Sequence, residues 1–198
     1  MRYGTIALLS ASALALAGCG HKDETTTTTT NSVTAESAST TAADNGMVDN
    51  GTVATPVSAG QTFANTAAAS DAFEIAESQL AATSAHSAAI KSFAQKMIEA
   101  HTGSTAKLKT VAAGLTPPMT PDATLTADQQ QKVDALKAKT GADFDTAYAA
   151  DQVAAHQATL DALKSYSTSG DVPELKSFAT GLIPTVTAHL NMAKGLKP

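Results

Sequence analysis

From residue 61 to the C-terminus, large apolar side chains recur every three or four residues, and no stretch alternates apolar with polar. That period marks one face of an α-helix, whereas a half-buried strand repeats every second residue. A chain patterned this way buries its apolar stripes by laying helix against helix. Composition agrees. Of 198 residues, 42 are Ala, the best helix former and a poor strand former. The runs of Val, Ile and Leu that a parallel-sheet enzyme needs are missing. The expected fold class is all-α.

Helix boundaries can be read from start and stop signals. A first helix is expected over about 62–84, with Phe73, Ala76, Glu77 and Leu80 on one stripe. A second starts after Ser87 and runs to Ala113, where Gly114 and the Pro117-Pro118 pair stop it. Thr126 and Gln129 have capping-box spacing for a short helix to about Lys139. Gly141 separates it from a long helix over about 142–168. Asp171 and Glu174 have the same capping spacing for a last helix over about 172–195. Pro184 lies inside that helix and should kink it, freeing the carbonyl of Thr180. Two long helical hairpins joined by a crossover holding one short helix have the connectivity of ferritin-like four-helix bundles. An up-down-up-down bundle is the alternative.

The first 60 residues read differently. Arg2 precedes an apolar run from Ile6 to Ala17, too short for a bilayer-spanning helix of ~20 residues but right for a secretory signal. The run ends in Leu16-Ala17-Gly18-Cys19, which resembles the lipobox of bacterial lipoproteins. The expectation is a signal peptide over 1–18 and lipidation of Cys19, with acyl chains holding the protein to a membrane. Cys19 is the only cysteine, so disulfides and thiolate sites are excluded. Gly20 follows it, and by the same resemblance a residue other than Asp there favours the outer membrane, facing the periplasm. Residues 19–60 then form the anchor and a tether, in which Thr, Ser, Ala and Gly supply 25 of the 41 residues from 20 to 60. The tether has no Leu, Ile or aromatic residue and cannot offset its ordering entropy by burial. The folded domain is expected over 61–198. Arg2 is the only arginine and the net charge is −5, which excludes nucleic acid as a partner.

Four segments carry a family resemblance: FEIAESQLA (Phe73–Ala81), IKSFAQKMIEAHT (Ile90–Thr102), GADFDTAYAADQVAAHQATLDAL (Gly141–Leu163) and PELKSFATGLIPTVTAHL (Pro173–Leu190). Together they resemble the bacterial domain-of-unknown-function family DUF4142, whose members are often labelled predicted outer membrane proteins. The resemblance implies an exported, ferritin-like helical domain with no settled activity. It also implies that the family's recurrent polar residues fall on Glu74, His101, Tyr148, His156 and His189.

Three histidines sit on apolar stripes. His101 follows Met97 and Ile98, His156 lies between Val153 and Leu160, and His189 lies between Val186 and Ala193. His21 and His86 lie in the tether and near a turn, where solvent is expected. With about 1.5 Å rise per residue, His101 and Glu74 lie about 23 and 17 Å from the first turn, and His156 and His189 about 20 and 29 Å from the last. Either bundle topology then places these four near mid-bundle. One reading is a metal site built from Glu74, His101, His156 and His189, holding one Cu, Zn or Fe ion. Met97 and Met192 could add soft ligands. The other reading is structural: core histidines bonded to Tyr148, Asp151, Glu74 or the carbonyl freed by Pro184. A ferritin-type di-iron centre does not fit, because no Glu-x-x-His occurs in the chain. Hydrolase and phosphate-loop motifs are also absent, so no enzyme is expected. The leading expectation is a lipid-anchored cell-envelope protein that is non-catalytic, with a structural, interaction or stress-related role and an envelope protein partner. The alternative is a periplasm-facing metal-binding protein.

Overall fold

The computed structural model describes residues 57–198. The expected signal peptide, Cys19, His21 and the tether up to residue 56 lie outside the described residues. Five helices follow, α1 (Ala59–Ser84), α2 (Ala88–Ala113), α3 (Ala127–Lys137), α4 (Gly141–Ser169) and α5 (Pro173–Lys194). No strand occurs among the described residues.

Local chemistry explains several ends. Helix α1 begins at Ala59, earlier than its apolar stripe suggests, because the Ser58 hydroxyl accepts from the Gln61 amide at 3.1 Å. Gly60 is buried, and a Cβ there would lie 2.8 Å from Val172 Cγ2. The missing side chain lets the first turn of α1 press against the α4–α5 turn. The capping box of Thr126 and Gln129 forms as expected. Gly141 opens α4 with φ of 59°, a left-handed conformation open to glycine without steric cost.

Three local expectations are not met. Ser87 occupies the N-cap of α2 but makes no side-chain cap bond. The amides of His86 and Ser87 instead donate to the buried Asp145 of α4, at 2.9 and 2.7 Å. The Asp171–Glu174 box does not form at α5, whose N-cap residue is Val172. Asp171 instead accepts from the Tyr166 hydroxyl at 2.8 Å. Helix α5 continues through Pro184 to Lys194. Pro184 and Thr180 are both exposed, so the freed carbonyl is open to solvent and serves no core histidine.

The same contacts decide the topology. Asp145, in the first turns of α4, touches the α1–α2 turn. The start of α1 touches Asp171 and Val172 in the α4–α5 turn. Helices α1 and α4 are therefore antiparallel neighbours, and α2 packs on α5. The crossover runs the length of the bundle, with α3 packed on α1 and α4. This is the ferritin-like connectivity rather than the up-down-up-down one.

The core is split. One apolar cluster gathers Phe63, Leu108, Leu163, Tyr166 and Leu175. A second gathers Ile90, Phe93, Met97, Phe144 and Tyr148. Phe63 and Tyr166 stack at 4.0 Å, beside the α4–α5 turn. The buried polar residues of α1 (Asp71, Glu74, Glu77, Ser78), with His101, Gln152, His156 and His189, lie between the clusters. Helix α1 thus turns acids, not only apolar groups, toward the core. Its expected stripe is shifted accordingly: Ala76 and Leu80 are only half-buried.

Candidate metal centre

Burying polar side chains costs free energy unless each finds a partner. Much of this layer is paired. Ser78 and Tyr148 share a hydroxyl–hydroxyl bond of 2.8 Å, and Gln152 Nε2 donates to Glu77 Oε2 at 3.3 Å. His101 Nδ1 donates to Asp71 Oδ1 at 2.8 Å, and Thr105 Oγ1 donates to Asp71 Oδ2 at 3.2 Å. His156 Nδ1 donates to the Gln152 carbonyl at 2.8 Å, one turn back on α4.

Partnerless atoms remain on Glu74, Glu77 and Gln152 and on the three histidines. With their Nδ1 atoms engaged, His101 and His156 each keep a buried Nε2 without a hydrogen-bond partner, and buried His189 Nδ1 has none either. The three rings, from α2, α4 and α5, lie 5.4 to 5.7 Å apart between centroids. One ligand nitrogen from each lies within 4.8 Å of the others. Nitrogens so spaced share a centre at most about 2.8 Å away, against metal–imidazole bonds of about 2.0–2.1 Å. A side-chain shift of under about 1 Å closes that difference.

Protonation favours the same reading. Burial pushes His156 down to about 4, and the neighbouring histidines add to it against the Gln152 carbonyl bond. Burial, then the charge of His101, pushes His189 down to about 4. Both are neutral imidazoles at pH 7, the form that ligates metal. Asp71 on His101 and the backbone carbonyl on His156 are the outer partners that fix tautomer and ring orientation in histidine metal sites. The donor set and its partnerless nitrogens therefore fit a transition-metal ion.

Of the four residues expected at a metal, the structure brings together His101, His156 and His189. Glu74 is not among the converging groups. Its Oε1 lies 3.4 Å from His156 Nδ1, behind the ring, and both its oxygens lack hydrogen-bond partners. Burial pushes its carboxyl well above the usual carboxylate range, which disfavours the anionic form of this group behind the site. The two methionines stand apart from the histidines. Met192 is 39% exposed, and Met97 packs in the second apolar cluster. Tyr148 pairs with Ser78, and Asp151 pairs with Lys132 at 2.6 Å, so neither holds a histidine. His86 is exposed, as expected.

Two further groups hold the rings, and spacing along α1 puts one of them, Asp71, within reach of the same zone. Asp71 lies three residues before Glu74 and so on nearly the same face of α1. The buried positions Ala64, Ala68, Asp71, Glu74 and Ser78 continue one helical stripe, and that continuity was a usable signal for Asp71. The Gln152 carbonyl has no side-chain signal at all.

A sequence model of the family described as "Domain of unknown function (DUF4142)" matches residues 46–196. No curated protein matches the chain. Among solved structures, "CopM in the Cu(II)-bound form" aligns with a TM-score of 0.59 at 17% identity, over 69% of this chain and 93% of that one. "CopM in the Cu(I)-bound form" aligns with a TM-score of 0.53 at 20% identity, over 71% of this chain and 95% of that one. At these identities the likeness shows a shared helical fold.

Proposed function

The chain belongs to the DUF4142 family, and we propose that it serves the cell envelope by binding one transition-metal ion, copper before zinc or iron, through His101, His156 and His189. The observation that carries this reading is the convergence of three buried imidazoles, one nitrogen of each within 4.8 Å of the others, on rings that each keep a partnerless nitrogen. Each unsatisfied buried polar atom costs about 1–3 kcal/mol. A purely structural core would lose that penalty by substituting apolar residues, whereas a bound ion removes it at each imidazole nitrogen that it ligates. This reverses the order of the two expectations from sequence, in which the structural role came first.

Copper is favoured for two reasons. Nitrogen sites bind Cu(II) most tightly among the divalent first-row metals. The CopM structures that resemble this fold are copper-bound forms. On this reading the role is binding rather than turnover. A lipid on Cys19 would hold the domain at the outer membrane, facing the periplasm, through the tether. No described helix is long and apolar enough to cross a membrane, so this reading assigns attachment to the lipid.

The deciding experiment loads the purified chain with Cu(II), Zn(II) or Fe(II), desalts it and measures metal by mass spectrometry. The expected result is a single equivalent, with copper displacing the others in competition. Joint His101→Ala, His156→Ala and His189→Ala substitution should abolish it. Metal-free protein after loading, or full retention in the triple variant, would sink the reading. The anchor has its own readout. Cys19→Ala should shift the protein from the membrane to the soluble fraction, and an unchanged distribution would refute lipid attachment.

A further inference from the structure

The three rings differ in what stands behind them. His156 Nδ1 donates to a neutral group, the Gln152 carbonyl, at 2.8 Å, with Glu74 farther off at 3.4 Å. His189 Nδ1 has no partner. His101 Nδ1 donates to a carboxylate, Asp71 Oδ1, at 2.8 Å. Thr105 Oγ1 donates to the other oxygen of Asp71 at 3.2 Å and so holds the carboxylate in place. Asp71 and His101 are 6% and 5% exposed, so water and salt screen this pair little.

A carboxylate accepts and cannot donate. His101 therefore carries its proton on Nδ1 and its lone pair on Nε2, the buried nitrogen without a partner. Asp71 is not among the converging groups, so it acts on an ion through the His101 ring. Its negative charge draws the Nδ1 proton and makes Nε2 a stronger donor. A stronger donor and a negative charge one ring away both stabilise a doubly charged ion more than a singly charged one.

We propose that Asp71 is a positioning residue that selects, through His101, the oxidation state of the bound ion, so that the site takes copper as Cu(II) and holds it against reduction. This inference rests on the proposed metal site. It adds the oxidation state and the residue that selects it.

The purified chain is titrated with Cu(II) and, without oxygen, with Cu(I), each in competition with a chromophoric chelator. The two dissociation constants give the potential of the bound couple. In the native chain Cu(II) should bind more tightly than Cu(I), which places the couple below that of aqueous copper. Asp71→Asn keeps the shape and removes the charge, since the amide oxygen still accepts from His101 Nδ1. Cu(II) binding should then weaken about tenfold, with Cu(I) binding nearly unchanged. The potential rises by about 59 mV, the one-electron equivalent of tenfold. Glu74 is the same in both proteins, so its charge cancels from the comparison. A purely structural role for Asp71 would weaken both ions equally and leave the potential where it was. Tighter native binding of Cu(I) than of Cu(II), or an unshifted potential in the folded variant, would overturn the inference and leave the metal site standing. The native comparison needs no variant, and decides the oxidation state should Asp71→Asn fold poorly. A native chain that takes up neither ion would overturn both.

Discussion

Replacing Glu77 with glutamine raises the unfolding free energy of the metal-free chain by about 3–5 kcal/mol above pH 8 and leaves it nearly unchanged at pH 4. Glu77 is fully buried. Burial, followed by the nearby charge of Asp151, pushes its carboxyl up from 4.5 to about 8. In the unfolded chain the same carboxyl ionises at its ordinary value. Between pH 4.5 and 8 the unfolded state has lost a proton that the native state still holds, so unfolding becomes easier as pH rises. The contribution is fully present below 4.5 and is lost as pH passes through 8. Glutamine has the same shape, can accept from Gln152 as Glu77 does, and cannot ionise. Urea unfolding of both proteins at pH 4, 6 and 9 measures the difference. Parallel pH profiles for the two proteins would show that Glu77 ionises in the native state as easily as in water.

Acidifying the metal-free chain from pH 6.5 to 4 removes about 3 kcal/mol through His156, and His189 adds to the loss. Both have folded values depressed to about 4 from 6.5, chiefly by burial. Below 6.5 the unfolded state takes up protons that the native imidazoles refuse, so this stability is present above 6.5 and lost as pH falls through 4. The sign is opposite to that of Glu77, and over pH 4.5–6.5 the two slopes offset each other. Comparing the native chain with His156→Gln at pH 4.5 and 6.5 isolates the histidine. The variant should lose less stability on acidification, and an equal loss would show that His156 titrates normally. The same depression protects a bound metal from proton competition. At pH 5 an imidazole titrating near 6.5 is about 97% protonated, whereas one titrating near 4 is about 9% protonated. Copper should therefore stay bound well below the pH at which exposed histidine sites release it.

Much of the fold was legible because helix signals are local. The ends of α2 at Ala88 and Ala113 follow from Ser87 and Gly114, and the start of α3 follows from the Thr126–Gln129 box. Where sequence reading erred, a distant group had displaced a local partner. Asp171 has the right spacing to cap α5, but the Tyr166 hydroxyl reaches it first. Ser87 has the right chemistry to cap α2 but makes no side-chain cap bond, and Asp145, 58 residues away, accepts from its backbone amide.

The site divides in the same way. Three histidines on apolar stripes at similar depth along the bundle were visible from spacing and rise alone. Glu74 shares that depth, and nothing local separates it from Asp71, one turn earlier on α1. The difference arises from how α1 is rotated against α2 and α4. That rotation places Asp71 against His101 and leaves Glu74 behind His156.

The amino-acid sequence by itself determined that this chain is a helical bundle, where its helices begin and end, and that imidazoles and acids occupy the middle of its core. These follow from periodicity and capping, which act over three or four residues. Only the tertiary structure decided the ferritin-like order of helices, the retreat of Glu74 and the convergence of three nitrogens. Those depend on bonds between residues dozens of positions apart, such as His101 to Asp71 and His86 to Asp145, and on helix rotations that no local pattern encodes.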